Sequence, residues 1–518
     1  MRYLMPRRVL GSYLFGALTL AVVSSLHAQR VPGETWQQYA TPEEAGWTPD
    51  GIELAKAFAD SIGTAAFMLV YDGAVVTTYG DVARRYMCHS VRKSLLSGLY
   101  GIHVGEGTID VNKTLTELGI DDKDPLTDEE KQASILDMLK ARSGVYHPAA
   151  YETASMAAAR PPRGSHPHNT FWYYNNWDFN TLNAIFEQET GSKIFEEFKL
   201  RFADPLQMDD FRVRDGYYHL EAHNSDFPAY PFRLSARDMA RFGLLYLNEG
   251  RWGDEQVIPA SWVEATRTSY SDAGGRGYGY MWWTFPESFA DGGVYSALGV
   301  GSQTITVVPA HDIVFIHRVD TYVGDRVSLT NITGLLQRLI EARTGDAEDE
   351  PLFVPLPDPP PAARFTEVDE ETLAKYADSY LMVNVMLEDG TLVLYDPSGG
   401  SFGMLPITER EFLLEDIQDR VYFRSTEEGE YQLILESMQD RRARAQIRSG
   451  NVQRAIEILV QSVEYFPDSW KAYDSLAGAY EHAGDAIHAI ENFRKSLELN
   501  PRNTNAAEAI ERLGGNSP

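Results

Sequence analysis

The chain has 518 residues, of which 43% are hydrophobic and 12% aromatic, and this composition predicts packed cores in more than one domain. Its formal net charge of −29 argues against a nucleic-acid partner, because binding to phosphates rests on clustered Lys and Arg. Cys88 is the single cysteine, which excludes an internal disulfide and a cysteine-based metal site. We expect no metal and no cofactor.

The first residues have the layout of an export signal. Arg2, Arg7 and Arg8 precede an apolar run over residues 9–26, and Leu26-His27-Ala28 fits a signal-peptidase site. We therefore predict a signal peptide over residues 1–28 and a protein that is exported to the periplasm or secreted, with no membrane span after cleavage. The alternative is that the apolar run is kept as a membrane anchor.

Residues 29–350 are predicted to form one domain with similar elements at both ends. A helical pattern over residues 49–62 is followed by two β-rich runs over residues 65–80, and Asp72-Gly73 between them is a strong hairpin signal. Residues 303–318 again indicate strand, turn and strand, and a helix is predicted over residues 329–343. Elements from both termini with helices between them predict an α+β domain, an antiparallel sheet with a helical insert.

Three further regions follow that domain. Six prolines predict an extended linker over residues 351–364, and residues 365–437 combine short apolar runs with Gly-rich turns that indicate a small β domain. In residues 438–518, five residue pairs recur 34 positions apart: Gly450 and Gly484, Ala455 and Ala489, Ile456 and Ile490, Glu464 and Glu498, Pro467 and Pro501. This period resembles tetratricopeptide repeats, which offer a docking surface for a protein partner; the alternative is a helical cap.

The segment Ser90-Val91-Arg92-Lys93 opens an apolar helical pattern. Lys93 lies three residues after Ser90, so both side chains share one helix face. A serine hydroxyl needs a nearby base and an oxyanion site to act as a nucleophile, and a desolvated lysine can be that base. On spacing alone, the alternative is a serine that caps the helix, followed by a solvated lysine.

A second candidate pair is Tyr174-x-Asn176, just ahead of another apolar helix. A phenol near a lysine can shuttle protons, and an amide can hold both the lysine and a substrate carbonyl. The register Tyr173-x-Asn175 fits as well. The alternative for either is an aromatic core cluster with capping asparagines.

The third element is a Gly-rich segment over residues 297–303, ALGVGSQ, which leads into the strand that follows. Glycines at a strand edge let backbone N–H groups approach a ligand closely. The alternative is a simple turn.

In this order and at these separations, the three elements resemble the serine β-lactamase and penicillin-recognising hydrolase family over roughly residues 40–345. The resemblance implies the β-lactamase and transpeptidase fold and an acyl-enzyme on Ser90. It also implies roles for Lys93, which helps to deprotonate the serine, and for Tyr174 and Asn176 as the family's Tyr-x-Asn pair. The oxyanion hole would be the backbone N–H groups of Ser90 and Val300, with Gly299, Gln303 and Tyr146 at the substrate.

The chief departure from the family is Ala297, which stands where a lysine helps to bind the carboxylate of penicillin-like substrates. The pattern Ala-x-Gly-x-x-x-Gln is closer to the class C, esterase and 6-aminohexanoate-oligomer hydrolase branch, although Ser302 replaces a usual glycine. We therefore predict an exported serine hydrolase that cleaves a small-molecule ester or amide. The alternatives are a β-lactamase or D-peptidase, and a non-catalytic or slow-turnover binding protein that docks partners through its repeats.

Two other motifs are interpreted without chemistry. Gly399-Gly400-Ser401-Phe402-Gly403 satisfies Gly-x-Ser-x-Gly, but it lies between β-rich runs with no helix after it, so a hairpin turn is favoured. His219 and His223 are one helical turn apart, but no third metal ligand is evident, so they are interpreted as surface histidines.

Overall fold

The computed structural model describes residues 30–358, 365–501 and 503–514. The predicted signal peptide and residues 359–364 of the predicted linker lie outside the described residues. Among the residues that are described, no helix is both long and apolar enough to cross a membrane.

The first part of the chain builds one large sheet and two small ones. Its strands are β1 (Gln37–Tyr39), β2 (Ala66–Tyr71), β3 (Ala74–Gly80), β4 (Tyr86–Met87), β5 (Arg233–Leu234), β6 (Arg251–Trp252), β7 (Glu255–Gln256), β8 (Gly277–Tyr278), β9 (Trp283–Thr284), β10 (Tyr295–Gly299), β11 (Gln303–Val308), β12 (Ile313–Arg318) and β13 (Phe353–Pro355). The large sheet has the order β13-β1-β3-β2-β12-β11-β10-β9-β8, and β4 pairs with β5 and β6 with β7. Every pair in the large sheet is antiparallel except β1 with β3.

The two hairpins predicted from opposite ends of the domain are neighbours in this sheet. β2 pairs with β12 over six residue pairs, from Ala66 with Arg318 to Tyr71 with Ile313. The β2–β3 turn is made by Asp72 and Gly73, both at positive φ (45° and 70°), as the Asp-Gly signal predicts for a two-residue hairpin turn.

The helices of this part cover both faces of the large sheet. They are α1 (Pro49–Ser61), α2 (Val91–Gly105), α3 (Leu115–Leu118), α4 (Ile135–Leu139), α5 (Ala154–Ala159), α6 (Asn176–Thr190), α7 (Ile194–Phe198), α8 (Ala236–Leu247), α9 (Ala260–Arg267) and α10 (Leu329–Glu341). Along β2, Phe67 and Leu69 join the core under α1 and α10, whereas Met68 and Val70 join the core that contains α2 and α8. Alternate side chains of a strand point to opposite faces, so a strand covered on both sides is apolar throughout, as AFMLVY is.

Part of the predicted linker is a strand of the large sheet instead. Phe353–Pro355 pairs antiparallel with β1, with Gln38 opposite Val354, and the Phe353 ring lies 4.9 Å from the Tyr39 ring. Proline is tolerated there because β13 is an edge strand, where one side of the backbone needs no partner. The chain therefore still belongs to the large sheet at residues 353–355, so the linker starts later than the predicted residue 351.

Residues 365–435 form a second sheet. Its strands are β14 (Ser379–Tyr380), β15 (Val383–Glu388), β16 (Thr391–Tyr395), β17 (Ser401–Pro406), β18 (Glu411–Leu414), β19 (Arg420–Ser425) and β20 (Tyr431–Leu435), which pair antiparallel in sequence order, and the short α11 (Glu370–Ala374) precedes them. Charged groups join this sheet to the first part of the chain: Arg212 Nη1 lies 2.8 Å from Glu415 Oε2, and Arg85 Nε lies 3.1 Å from Asp416 Oδ2. The buried Arg233 also donates to the carbonyl of Ser401.

The rest of the described chain is helical. Its helices are α12 (Glu436–Arg448), α13 (Val452–Tyr465), α14 (Trp470–His482), α15 (Ala486–Leu499) and α16 (Thr504–Arg512). The repeated glycines, Gly450 and Gly484, have φ of 82° and 76° in the turns before α13 and α15, and the repeated Ala455 and Ala489 are fully buried. The helical character of the segment is as predicted, and its assignment to the tetratricopeptide class stays a prediction.

Candidate active site

Ser90 immediately precedes α2, and its hydroxyl is not used to cap that helix. The residue has φ −74° and ψ −9°, its side chain forms no capping hydrogen bond with the described first turn, and it is half-buried. His89 before it has φ 49°, a conformation that is uncommon outside glycine and is often found at functional sites. The alternative of a capping serine is therefore wrong, and the hydroxyl is left for other contacts.

Lys93 is buried rather than solvated. Its side chain is 1% exposed, and its Nζ lies 2.9 Å from Ser90 Oγ and 2.7 Å from Tyr174 Oη. Burial lowers the pKa of the Lys93 amine well below its usual range, and the neighbouring Arg92 guanidinium lowers that pKa further. An uncharged amine at hydrogen-bond distance from a serine hydroxyl can accept its proton.

The tyrosine register follows from where the two phenols point. Tyr174 Oη reaches Lys93, whereas Tyr173 Oη donates to the carbonyl of Met156 at 2.8 Å. Burial raises the pKa of Tyr174 to about 12, partly offset by its hydrogen bond with Ser90 and by the charge of Arg92. The structure therefore brings Ser90, Lys93 and Tyr174 together in one hydrogen-bonded group and leaves Tyr173 out of it.

Asn176 is the first residue of α6, two residues after Tyr174. Its Nδ2 donates to the carbonyl of Tyr151 at 2.6 Å, and its Oδ1 is buried without a hydrogen-bond partner among the described residues. The neighbouring Asn175 caps the helix by accepting from the N–H of Trp177. Within the described structure, Asn176 thus has a free acceptor oxygen, to which an N–H or O–H donor could bind.

The Gly-rich edge of β10 lies against the segment that leads into Ser90. A Cβ on Gly299 would be 2.4 Å from the carbonyl oxygen of Cys88, so this approach requires glycine. Val300 follows in the tight turn to β11, in which Gly301 and Ser302 have φ of 80° and 72°. Within the part of the chain that the structure describes, the N–H groups of Ser90 and Val300 have no acceptor.

Two predicted substrate contacts are not found at this group. Gln303 is fully buried, and its amide donates to the carbonyl of Val319 at 2.7 Å and accepts from the N–H of the same residue at 3.3 Å. Gln303 therefore ties β11 to the end of β12, and its role at the substrate stays a prediction. Tyr146 packs edge-on against the rings of Tyr173 and His166. It therefore lies beside Tyr173, the tyrosine that does not contact Lys93.

Aromatic rings surround Tyr174. The ring centres of Phe179, Trp283 and Tyr278 lie 5.1, 5.4 and 6.1 Å from it, and the Trp172 ring lies 5.9 Å from that of Trp283. Two of these rings also cover the Lys93 amine, whose Nζ lies 4.3 Å from the Tyr174 ring centre and 4.8 Å from that of Phe179. The nearby Trp177 packs elsewhere, against His147 and Phe227.

Sequence reasoning missed a second polar chain beside the serine. His89 Nε2 lies 2.9 Å from Thr321 Oγ1, and its Nδ1 lies 3.2 Å from the Tyr151 phenol. Burial lowers the pKa of His89 to about 4, so its imidazole is neutral at pH 7. These three residues are far apart in the chain and share no motif, so no local pattern could have identified them.

Ser401 of the Gly-x-Ser-x-Gly motif and His219 of the histidine pair both make contacts that hold the fold together. Ser401 opens β17, and its hydroxyl donates to the carbonyl of Arg214 at 3.0 Å. His219 Nε2 lies 3.1 Å from Glu221, and its ring contacts Tyr151.

We expect Lys93→Met to raise the stability of the protein at pH 7. Because the folded-state pKa of Lys93 lies below its unfolded value of about 10.4, the unfolded chain holds an extra proton between those two pH values, and stability rises with pH in that window. Methionine removes this penalty, so we expect a higher thermal midpoint at pH 7, on a scale of about 2–4 °C per kcal/mol of stabilisation. The matched control is Lys56→Met, whose amine is partly exposed beside Glu53 and should leave the midpoint nearly unchanged. A lower midpoint for Lys93→Met at pH 7 would contradict a neutral buried amine.

Comparison with known proteins identifies the family. A family model described as Beta-lactamase matches residues 52–322, which is more than half of the 518 residues. No curated protein matches the chain.

Several solved structures are similar to part of the chain. A Bacillus anthracis protein described as a 6-aminohexanoate-dimer hydrolase is 20% identical over 55% of this chain and 80% of its own, with a TM-score of 0.43. An octameric penicillin-binding protein homologue from Pyrococcus abyssi is 15% identical over 74% and 98% of the two chains, with a TM-score of 0.41. A beta-lactamase from Mycobacterium bovis is 17% identical over 57% and 99%, with a TM-score of 0.40. At these identities and scores, the likenesses carry no information about activity.

Proposed function

Because this chain belongs to the beta-lactamase family of serine hydrolases, we propose that it cleaves an ester or amide bond through an acyl-enzyme on Ser90. The observation that carries the proposal is the pair of distances at Lys93 Nζ, 2.9 Å to Ser90 Oγ and 2.7 Å to Tyr174 Oη, on a side chain that is fully buried. A nucleophile, a base and a second proton carrier in mutual hydrogen-bond reach are what acyl transfer requires.

In the acylation step, Ser90 Oγ attacks the substrate carbonyl and its proton passes to the neutral amine of Lys93. The negative charge on the carbonyl oxygen is stabilised by the N–H groups of Ser90 and Val300. The proton then travels through Tyr174 to the leaving alcohol or amine, whose bond to the carbonyl carbon breaks. The tyrosine suits this relay because its raised pKa, about 12, keeps it protonated at rest.

Deacylation reverses these transfers with water as the nucleophile. Water gives a proton to Lys93 through Tyr174 and attacks the acyl carbon, and Ser90 Oγ leaves with the proton returned. Asn176, with its Oδ1 unengaged by the described residues, is proposed to position the lysine or the substrate.

Ala297 favours substrates other than penicillin-like compounds. It is fully buried on β10, opposite Ile305, and an alanine supplies no cation for the carboxylate that such compounds carry. We therefore propose an esterase or amidase rather than a β-lactamase or D-peptidase. Export through residues 1–28, and docking of a partner by the C-terminal helices as tetratricopeptide-like repeats, are part of the same proposal and rest on the sequence patterns alone.

A turnover screen across p-nitrophenyl esters of short acyl chains, linear amide oligomers, cephalosporins and D-amino-acid peptides tests this function. We expect saturable hydrolysis of esters or linear amides, with a burst of the first product when deacylation is slow. Efficient turnover confined to cephalosporins or D-amino-acid peptides would replace the esterase proposal with the β-lactamase or peptidase alternative. A stable penicillin adduct without turnover of any compound would instead favour a binding protein.

A further inference from the structure

Arg276 is a cation without an anionic partner in the described part of the chain. It lies in the loop just before β8, it is half-buried, and it has no ion pair and no side-chain hydrogen bond with the described residues. The nearby Asp272 makes no ion pair with it, and the Oδ1 of that carboxylate accepts from the N–H of Gly275 at 2.9 Å. In a chain with 75 acidic and 46 basic residues, this arginine is partly desolvated and its N–H groups are available to an anion.

The guanidinium lies over an aromatic ring. Its central carbon is 4.5 Å from the ring centre of Trp283, a cation–π contact, and its N–H groups make no hydrogen bond with the described residues. Burial without a compensating carboxylate lowers the pKa of Arg276, although an arginine stays charged at neutral pH. Carboxylates match the forked N–H geometry of such a group and bind it with two parallel hydrogen bonds.

The same tryptophan borders the proposed catalytic group. The Trp283 ring lies 5.4 Å from the Tyr174 ring, so the guanidinium carbon is within about 10 Å of that ring. Trp283 is also paired with Ser296 of β10, the strand that ends at Gly299 against the approach to Ser90. Arg276 is therefore one aromatic ring away from the proton relay, in a loop next to the β8–β9–β10 part of the sheet, whose strand β10 leads to the proposed oxyanion site.

We propose that Arg276 binds a carboxylate of the substrate, so that the preferred substrates are esters or amides whose acyl or leaving part carries an anionic group some bonds away from the scissile carbonyl. This inference rests on the proposed function and narrows its substrate class. Ala297 on β10 provides no cation for a substrate carboxylate. Arg276, in the loop before β8, provides one at a different position. The anion would be held beyond Trp283 rather than beside the scissile bond.

The test compares two esters that differ only at the end of the acyl chain: the mono-p-nitrophenyl ester of adipic acid, which ends in a carboxylate, and p-nitrophenyl hexanoate, which ends in a methyl group. The measured quantity is the ratio of kcat/KM for the anionic ester to kcat/KM for the neutral ester. We expect Arg276→Gln to lower this ratio about 10- to 100-fold, as loss of a charged hydrogen bond does, and Arg276→Lys to restore part of it. The ratio cancels any loss of active protein that both substrates share.

The matched control is Arg338→Gln. Arg338 also lies over an aromatic ring, 3.9 Å from the centre of Phe58, but it is on α10 across the sheet from α2. We expect its substitution to leave the ratio unchanged. A ratio that Arg276→Gln does not lower, or that Arg338→Gln lowers equally, would overturn the assignment of Arg276. If the wild-type protein hydrolyses neither ester and Ser90 takes no covalent label, the proposed function itself fails; hydrolysis of hexanoate with an unchanged ratio overturns the inference alone.

Discussion

Ser90→Ala is expected to lower kcat by about 1000-fold or more while the protein stays folded. Removal of the nucleophile from a hydrogen-bonded catalytic group abolishes the covalent route and leaves only the contribution of binding and the oxyanion site. The fold should tolerate the change because the Ser90 side chain is half-buried and does not cap α2 in the described structure. The measurement is kcat on the best ester, with the thermal midpoint as a check on folding.

Ser401→Ala is the matched control for this experiment. Ser401 occupies the other serine motif of the chain, but its hydroxyl donates to the carbonyl of Arg214 at the junction with the second sheet. We expect its kcat to stay close to wild type. Full activity in Ser90→Ala, or loss of activity in Ser401→Ala with an unchanged thermal midpoint, would place the chemistry elsewhere.

Tyr174→Phe is expected to lower kcat by about 100- to 10,000-fold, the usual range for loss of a general acid–base group. The phenol is the second contact of Lys93 Nζ, and a phenyl ring keeps the packing against Phe179 and Trp283 while it removes the proton carrier. Because the substitution acts on proton transfer, the loss should appear in kcat and much less in KM.

The neighbouring Tyr173→Phe is a stringent control, since it makes the same chemical change one residue away. Its hydroxyl donates to the carbonyl of Met156, and its loss should affect stability slightly and kcat little. If Tyr173→Phe is the more damaging of the two variants, the proton relay does not run through Tyr174.

Local patterns in the sequence predicted those parts of the molecule that local physics determines. The Asp72-Gly73 turn needs two residues at positive φ, and the apolar run after Ser90 needs a helix, so both could be predicted from a few residues. The spacing of Ser90 and Lys93 put both side chains on one face, and the structure brings them within 2.9 Å. The position of the Tyr-x-Asn pattern in the chain then left two candidates for the proton carrier, Tyr173 and Tyr174.

The hydrogen bonds of Gln303 could not be predicted from its motif, because strand register decides which way a side chain points. A shift of one residue moves a side chain from one face of a sheet to the other, and the amide of Gln303 is bonded to Val319, the residue after β12. The strand Phe353–Pro355 was missed for a related reason. Prolines indicate an extended chain, but only the neighbouring β1 makes that extended chain an edge strand.

Contacts between distant segments could not be predicted from the sequence. Arg85 and Asp416 are separated by 331 residues yet lie 3.1 Å apart, and no pattern in either segment indicates the other. Arg276 is a similar case, because a single arginine after two glycines has no local signature. Its position over Trp283 emerges only when the loop and the strand are packed together.

The central claim is that Ser90 is the nucleophile, and covalent labelling tests it most directly. The wild-type protein is treated with a serine-reactive p-nitrophenyl phosphonate, its intact mass is measured, and the labelled peptide is sequenced by mass spectrometry. We predict a single adduct on Ser90, no adduct in Ser90→Ala, and slower labelling in Tyr174→Phe. An adduct on another residue, or an unlabelled wild-type protein that also turns over none of the esters, would contradict the account.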